Sequence, residues 1–282
     1  MNSLDQGHRV LVVTDSTASL GDLDGGVSGL RRISLHINVA GQSFREGTEI
    51  DFDTVVAHLE QGTEVSTSQP NLEEFTALFA SAFAQGYTDI VAVHISGALS
   101  GTFQTASMAA RQWPGRVTVL DSGLAGLALG IAARAGAQAA SDGANAQAVV
   151  AAIEARTKRA GALFMVDSLE HLRRGGRLSG PLAAVGTALG LKPLLVLSNG
   201  EIQIAAKLRS RNAALGQMYQ RATVARVLPG VEFGVHYFGN RTHADQLAQR
   251  ITTELAKPVF VTAASAVLGA HVGPGLVALT WA

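Results

Sequence analysis

Residues 89–122, DIVAVHISGALSGTFQTASMAARQWPGRVTVLDS, read as a strand over Asp89–Ile95, a loop with glycines at 97 and 101, a helix over Gly101–Arg111 and a second strand over Val117–Leu120. Apolar runs without polar alternation, such as Ile90–Val93, suit strands buried on both faces of a parallel sheet. Upstream, Val10–Thr14 is a run of the same kind and ends in Asp15, Ser16 and Thr17. Downstream come two helical segments, Leu124–Ala140 and Ala146–Arg156. Strands and helices alternating in this way predict a parallel sheet covered by helices on both faces, an α/β/α (Rossmann-like) arrangement.

Between these strands the signals are local. Ile33–Val39 alternates apolar and polar residues, which predicts one half-exposed strand. Asp51 is placed to cap a helix over Phe52–Leu59. Asn71 and Glu74 have the spacing of a capping box, and Leu72, Phe75, Leu78, Phe79 and Phe83 form one stripe of the helix that follows. Gly86 ends it.

Beyond Lys158 the pattern changes. Leu163–Val166 reads as a strand, and Leu194–Leu197 and Ile202–Ala205 flank Asn199-Gly200, a pair suited to a tight hairpin turn. A helix over Arg211–Arg226, a strand over Phe233–Phe238, a helix over Ala244–Leu255 and strands at Val259–Thr262 and Gly275–Leu279 complete the reading. Hairpin and crossover pieces together predict a mixed sheet. The expectation is two α/β domains: residues 1–158 with the parallel sheet, and residues 159–282 with the mixed sheet.

Composition narrows the function. Among 282 residues 47% are hydrophobic and 16% charged, so a large core can form. Lys plus Arg and Asp plus Glu both total 22, which supplies no general basic field for a nucleic acid. The absence of cysteine excludes disulfides, thiolate nucleophiles and cysteine metal sites, and the eight His residues show no metal-ligand spacing. No metal or cofactor is expected. Met1–Asp15 lacks a signal-peptide pattern, and Leu124–Ala140, interrupted by Gly126, Gly130, Arg134 and Gly136, reads as a buried helix rather than a membrane span. A soluble cytoplasmic protein is expected. The Walker loop and the GxGxxG, HExxH and GxSxG motifs are missing.

Ligands of open parallel sheets bind beyond the carboxyl ends of the strands. There the chain offers Asp15-Ser16-Thr17, the SGALSGT loop from Ser96 to Thr102, and Asp121-Ser122, with a further polar loop at Ser66–Pro70. Ser96, Ser100 and Thr102 are neutral donors at a helix start with no lysine beside them, which suits a singly charged carboxylate better than a triphosphate. Ser100 or Thr102 acting as a plain helix cap explains those two equally well. Asn71 already caps the next helix, which frees Thr67 for a ligand, whereas Asp15 reads as a turn residue. Cationic candidates lie in the second half: Arg173, Arg174 and Arg177 around Gly175-Gly176, Lys207 and Arg209, and His271 in HVGPG. Such groups suit a phosphate or acyl phosphate, although Arg173 and Arg174 read better as a solvated helix end.

VVTDST ending at Thr17, TSQPN at 67–71, ISGALSGTFQTA at 95–106, VLDS at 119–122, LRRGGRLS at 172–179, LKPLL at 191–195, NGEI at 199–202, KLR at 207–209 and HVGPGLVAL at 271–279 together resemble the DegV family over nearly the whole chain. The resemblance implies a two-domain α/β fold with a fatty acid between the domains, its carboxylate held by Thr67 and Ser96 with the backbone of Gly97. Some members present the bound acid to a separate ATP-dependent fatty-acid kinase subunit that makes acyl phosphate for phospholipid synthesis. In those, Arg209 and His271 would handle the phosphate, with Arg177 as a third. The expected partners are therefore a long-chain fatty acid and an ATP-binding kinase subunit, with no nucleic acid and at most transient membrane contact. A departure is Gly97, where the family often has a second serine. Two other functions compete: a stand-alone phosphotransferase or hydrolase with Ser96 as nucleophile and His94 as base, and a lipid-responsive regulator without a kinase partner.

Overall fold

The computed structural model describes residues 8–24, 27–178 and 192–282. Met1–Gly7, Ser179 and Leu191, which entered the sequence reading, lie outside the described residues.

The apolar runs form the parallel sheet. Strands β1 (Val10–Asp15), β2 (Leu30–Ile33), β6 (Asp89–His94) and β7 (Val117–Asp121) pair in the order β2-β1-β6-β7, all parallel. Strand alternation sends Val10, Val12, Val91 and Val93 to one face, against α4 (Leu127–Ser141) and α5 (Ala146–Thr157). Leu11, Val13, Ile90 and Ala92 face α2 (Leu72–Ala84) and α3 (Thr102–Ala110) on the other. Each of these strand side chains is almost fully buried, so each face adds roughly 1.5–3 kcal/mol per large residue before entropy. The expected capping box is present: Glu74 N donates to Asn71 Oδ1 (2.9 Å) and Asn71 N to Glu74 Oε2 (2.8 Å). Helix α4 is largely buried against the sheet, and no helix among the described residues is long and apolar enough to cross a membrane.

Two sequence readings are corrected in this half. Ile33–Val39 is not one strand: β2 ends at Ile33, and β3 (His36–Val39) belongs to another sheet, between β4 (Gln42–Arg45) and β5 (Val65–Ser68) in antiparallel pairing. The chain turns at Ser34-Leu35, where Leu35 N donates to Ser16 Oγ at 3.0 Å instead of continuing the β1 ladder. Ser66–Pro70 is not wholly a loop either, because Thr67 lies on β5 opposite Ile37. The polar short side chains hid an alternating strand that buries Val65 against α1 (Phe52–Glu60).

The second sheet is mixed, as expected. Strands β8 (Gly161–Met165), β9 (Lys192–Ser198), β10 (Glu201–Leu208), β11 (Phe233–Phe238), β12 (Val259–Ala263) and β13 (Leu276–Trp281) are ordered β10-β9-β8-β13-β11-β12. Only β11 and β12 pair in parallel. Asn199 (φ 51°) and Gly200 (φ 80°) make the hairpin turn between β9 and β10. One face carries Leu163, Met165, Phe233, Val235 and Val277 against α7 (Arg211–Ala225) and α8 (Thr242–Leu255).

Register sets the opposite face. Leu195, Phe164, Ala278 and His236 form one row across it, and Leu197, Ala162, Thr280 and Gly234 the next. Toward this face pack α9 (Ala266–Val272) and the β4-β3-β5 sheet, so one core joins Leu35, Ile37 and Val39 to Phe164, Leu195, Leu276 and Ala278. Helix α6 (Glu170–Arg174) ends at the Arg173 and Arg174 read as a solvated helix end, whereas α9 was not read in the sequence, being only two turns long.

Candidate functional site

Two cavities lie in the seam between the parallel sheet's loops and the inner face of the mixed sheet. The first, the vestibule, encloses about 550 Å³, part of it open to solvent, and its polar wall includes Thr67, Ser100, Arg177 and His271. The second, the chamber, has about 540 Å³, likewise part of it open to solvent, and an almost wholly apolar wall built on Ala162, Phe164, Leu276 and Ala278 of the sheet and Ala125 and Gly126 before α4. Leu99, Ile202, Leu268 and Val272 border both, so the two are neighbours that share an apolar wall.

At the vestibule mouth Thr67 Oγ1 lies 2.8 Å from His271 Nε2. His271 stands in the last turn of α9, not in an irregular glycine-rich run as the sequence suggested. Burial, with Arg177 nearby, pushes its pKa down to about 4, so the ring is neutral at pH 7. The pair then bonds in one of two senses: Thr67 donates to Nε2, or Nε2–H donates to Thr67 and leaves the threonine proton free. Arg177 crosses the seam, its Nε donating to the Leu99 carbonyl (3.0 Å) and its Nη1 to the Gly175 carbonyl. Gly175 and Gly273 are required to be small: a Cβ at Gly175 would lie 2.2 Å from His271 Nδ1, and one at Gly273 2.4 Å from His171 Cδ2. The two histidines thus each rest on a glycine of the other's loop. A larger polar groove outside this pair, with Arg174, His171 and Glu64 on its wall, shares Thr67, Arg177 and His271 with the vestibule.

Ser96 and Gly97 are placed differently. Ser96 is 1% exposed; its Oγ donates to the Gly200 carbonyl (2.8 Å) and accepts from Ala98 N (3.2 Å). Gly97 N donates to both carboxylate oxygens of Asp121, at 3.1 Å each. Neither residue is among those lining the vestibule. A Cβ at Gly97 would stand 2.7 Å from Asp121 Oδ2, so the missing family serine leaves room that Asp121 uses. Arg209 lies exposed just beyond β10, away from the wall shared by Arg177 and His271. The structure therefore brings together Thr67, Arg177 and His271, and sets Ser96 with Gly97, and Arg209, apart from them.

The nucleophile reading finds no geometry. His94 is fully buried with Nδ1 3.1 Å from Asp15 Oδ2 and its ring edge-on to Phe75, while the Ser96 hydroxyl bonds Gly200. Asp15 is a turn residue, as expected: it accepts from Thr17 N (3.1 Å), Thr17 Oγ1 (2.5 Å) and Ile95 N (2.9 Å). Among the described residues no group of three His, Cys, Asp or Glu side chains could hold a metal ion.

His236 on the chamber wall was not singled out in the sequence. Its Nε2 accepts from Leu127 N (2.7 Å) and Nδ1 lies 2.9 Å from Thr262 Oγ1, so both ring nitrogens are engaged. Burial lowers its pKa to about 4, which keeps the chamber free of charge.

A family model described as an uncharacterised protein of the DegV family matches residues 9–282. A DegV domain-containing protein of Streptomyces coelicolor is 36% identical over 270 residues, covering 95% of this chain and 96% of its own. A solved DegV family protein from Thermus thermophilus, described by its fatty-acid binding, superposes with a TM-score of 0.90 at 31% identity, over 97% of this chain and 99% of that one. DegV of Bacillus subtilis, described as a fatty-acid-binding protein, gives 0.89 at 28% identity, over 97% and 99%.

Proposed function

The chain belongs to the DegV family, and from that premise we propose that it binds one long-chain fatty acid, acyl chain in the chamber and carboxylate at the vestibule. The observation that carries this reading is an apolar chamber adjoining a polar vestibule, with Leu99, Ile202, Leu268 and Val272 in the wall of both. Such a site suits an amphiphile with a long apolar tail and one small polar head. In this reading Thr67 supplies a hydroxyl donor to the carboxylate from the vestibule wall, and Ser96 with the Gly97 backbone, which lie outside that wall, would join it once released from Gly200 and Asp121. Charge-assisted bonds of this kind contribute about 1.5–3 kcal/mol each.

The second part of the proposal is presentation of the bound acid to a separate ATP-dependent fatty-acid kinase subunit. It is supported by the solvent-open groove in which Arg177 and His271 border the same Thr67 that would hold the carboxylate. A phosphoryl group arriving through the groove would meet guanidinium and imidazole donors, and exposed Arg209 would act from outside the vestibule. The protein itself carries no nucleotide site in this scheme and works as the lipid-holding partner.

Mass spectrometry of the denatured purified protein should release a long-chain fatty acid, and the delipidated protein should take up oleate or palmitate. The absence of both release and uptake would sink the lipid reading. Uptake without any acyl phosphate formed alongside a fatty-acid kinase subunit and ATP would sink the presentation step alone.

A further inference from the structure

A serine hydroxyl has one proton to donate. That of Ser96 is held by the carbonyl of Gly200, at 2.8 Å, from the opposite side of the seam. A carboxylate cannot receive it while this bond stands. The neighbouring Gly97 N–H is likewise engaged, by Asp121. Loading of the site proposed above therefore has to break the contact between Ser96 and the β9–β10 turn.

The turn is built to allow this. It lies at the tip of a hairpin whose outer strand, β10, is the edge of the six-stranded sheet. The β9–β10 pairing is regular from Glu201 to Ile204 and then shifts register before Ala206, so the ladder is interrupted one turn's length from the tip. Ile202, on the tip side of that irregularity, borders both vestibule and chamber. Moving the tip outward would therefore withdraw Ile202 from the wall of both cavities and free the Ser96 proton in one displacement. At the tip the packing is close: a Cβ on Gly200 would lie 2.5 Å from Ser96 Oγ and 3.7 Å from the Gly123 Cα.

We propose that the tip of the β9–β10 hairpin, residues 199–202, is the gate of the fatty-acid site, latched by the Gly200 carbonyl on the Ser96 hydroxyl and hinged at the register shift before Ala206. This rests on the fatty-acid reading. Ser96 then has two successive acceptors: Gly200 when the gate is latched, the ligand carboxylate when the site is loaded.

The test is stopped-flow binding of cis-parinaric acid, a fluorescent polyunsaturated fatty acid, to the delipidated full chain. Opening before binding makes the observed rate level off at high ligand concentration. Ser96→Ala removes the latch proton, and Gly200→Ala places a methyl group 2.5 Å from Ser96 Oγ, too close for the latch to stand. Both should raise the plateau about tenfold, the rate equivalent of one lost hydrogen bond. Gly216→Ala, at a position with nothing within 4 Å, should leave it unchanged. A Ser96→Ala protein with faster dissociation but a wild-type plateau would show that Ser96 is a ligand donor without a latch, and overturns the gate. So does a rate that stays linear with ligand and equal in all variants. If wild-type protein gives no signal that oleate displaces, the lipid reading fails and the gate with it. Ser96→Ala, a small buried truncation, decides the case if Gly200→Ala does not fold.

Discussion

Replacing Gly126 by alanine should destabilise the protein by about 3 kcal/mol, for two reasons that add. Gly126 precedes α4 at φ 66° and ψ −154°, a region open almost only to glycine, where a side chain costs about 1–3 kcal/mol. The new Cβ would also stand 2.9 Å from His236 Nε2, the atom that accepts the Leu127 N–H at 2.7 Å. Pushing the imidazole away leaves a buried donor and acceptor unpaired, at about 1–3 kcal/mol. Gly143→Ala separates the two contributions, because Gly143 also has positive φ (88°) but nothing within 4 Å of its Cβ. It should cost only the backbone part, about 1–2 kcal/mol. Urea denaturation of the delipidated proteins reads the difference: with m near 2–3 kcal/mol/M, Gly126→Ala should lower the midpoint by about 1 M. A midpoint no lower than that of Gly143→Ala would refute the assigned role of the His236 contact.

Acid should weaken the fold through the histidines. The folded-state pKa of His236 and of His271 lies at about 4 against 6.5 for the free side chain, so the unfolded chain binds more protons between those values. The stability they contribute is complete above pH 6.5 and is lost as pH falls toward 4, about 3 kcal/mol for His236. Glu46, raised by burial, works in the opposite sense, so the pH profile of stability should be compared with that of His236→Gln, which should be flatter; a parallel profile would refute the assignment. Thr67→Val should weaken oleate binding at least tenfold in parinarate displacement. Ser96→Ala should weaken it less, about fivefold, because that variant also loses the competing bond to Gly200; the reverse order would contradict the latch. Arg209→Ala should leave oleate affinity within twofold while lowering acyl-phosphate formation by a supplied kinase subunit; reduced oleate binding would place Arg209 at the carboxylate instead.

The centre of the parallel sheet was legible because β1 and β6 are apolar on both faces and the helix after Asn71 carries a capping box; its edge strand β2, with Arg31 and Arg32, was not read. The hairpin was legible in Asn199-Gly200, whose positive φ values few other pairs supply. The β4-β3-β5 sheet was not: Ser66, Thr67 and Ser68 look like a loop, and nothing local shows that Val65 and Ile37 bury against the distant mixed sheet. Thr67, Arg177 and His271 were singled out from polar type and family pattern, and the structure sets them on one cavity wall. Sequence could not show that His271 bonds Thr67 itself, because the two are 204 residues apart. The expected separation of carboxylate donors from phosphate-handling groups is correspondingly less sharp, and His271→Ala should disturb both. Nor could it show the chamber, whose wall is made of ordinary core residues such as Ala162 and Ala278 that differ from their neighbours only in facing a gap.

Strand β13 lies inside the mixed sheet, between β8 and β11, and supplies Leu276, Ala278 and Thr280 to the chamber floor. During synthesis the parallel sheet has all its strands once Asp121 has emerged, whereas the mixed sheet waits for a segment made some 110 residues after β8 to slip between strands already present. Until then the apolar face of β8 and β11 has a vacant lane at its centre, a template for strands of other chains. A lipid that needs the completed floor can act only on the finished molecule. Its binding would reward the last step of folding, so lipid supply would be expected to govern how much of the nascent protein matures.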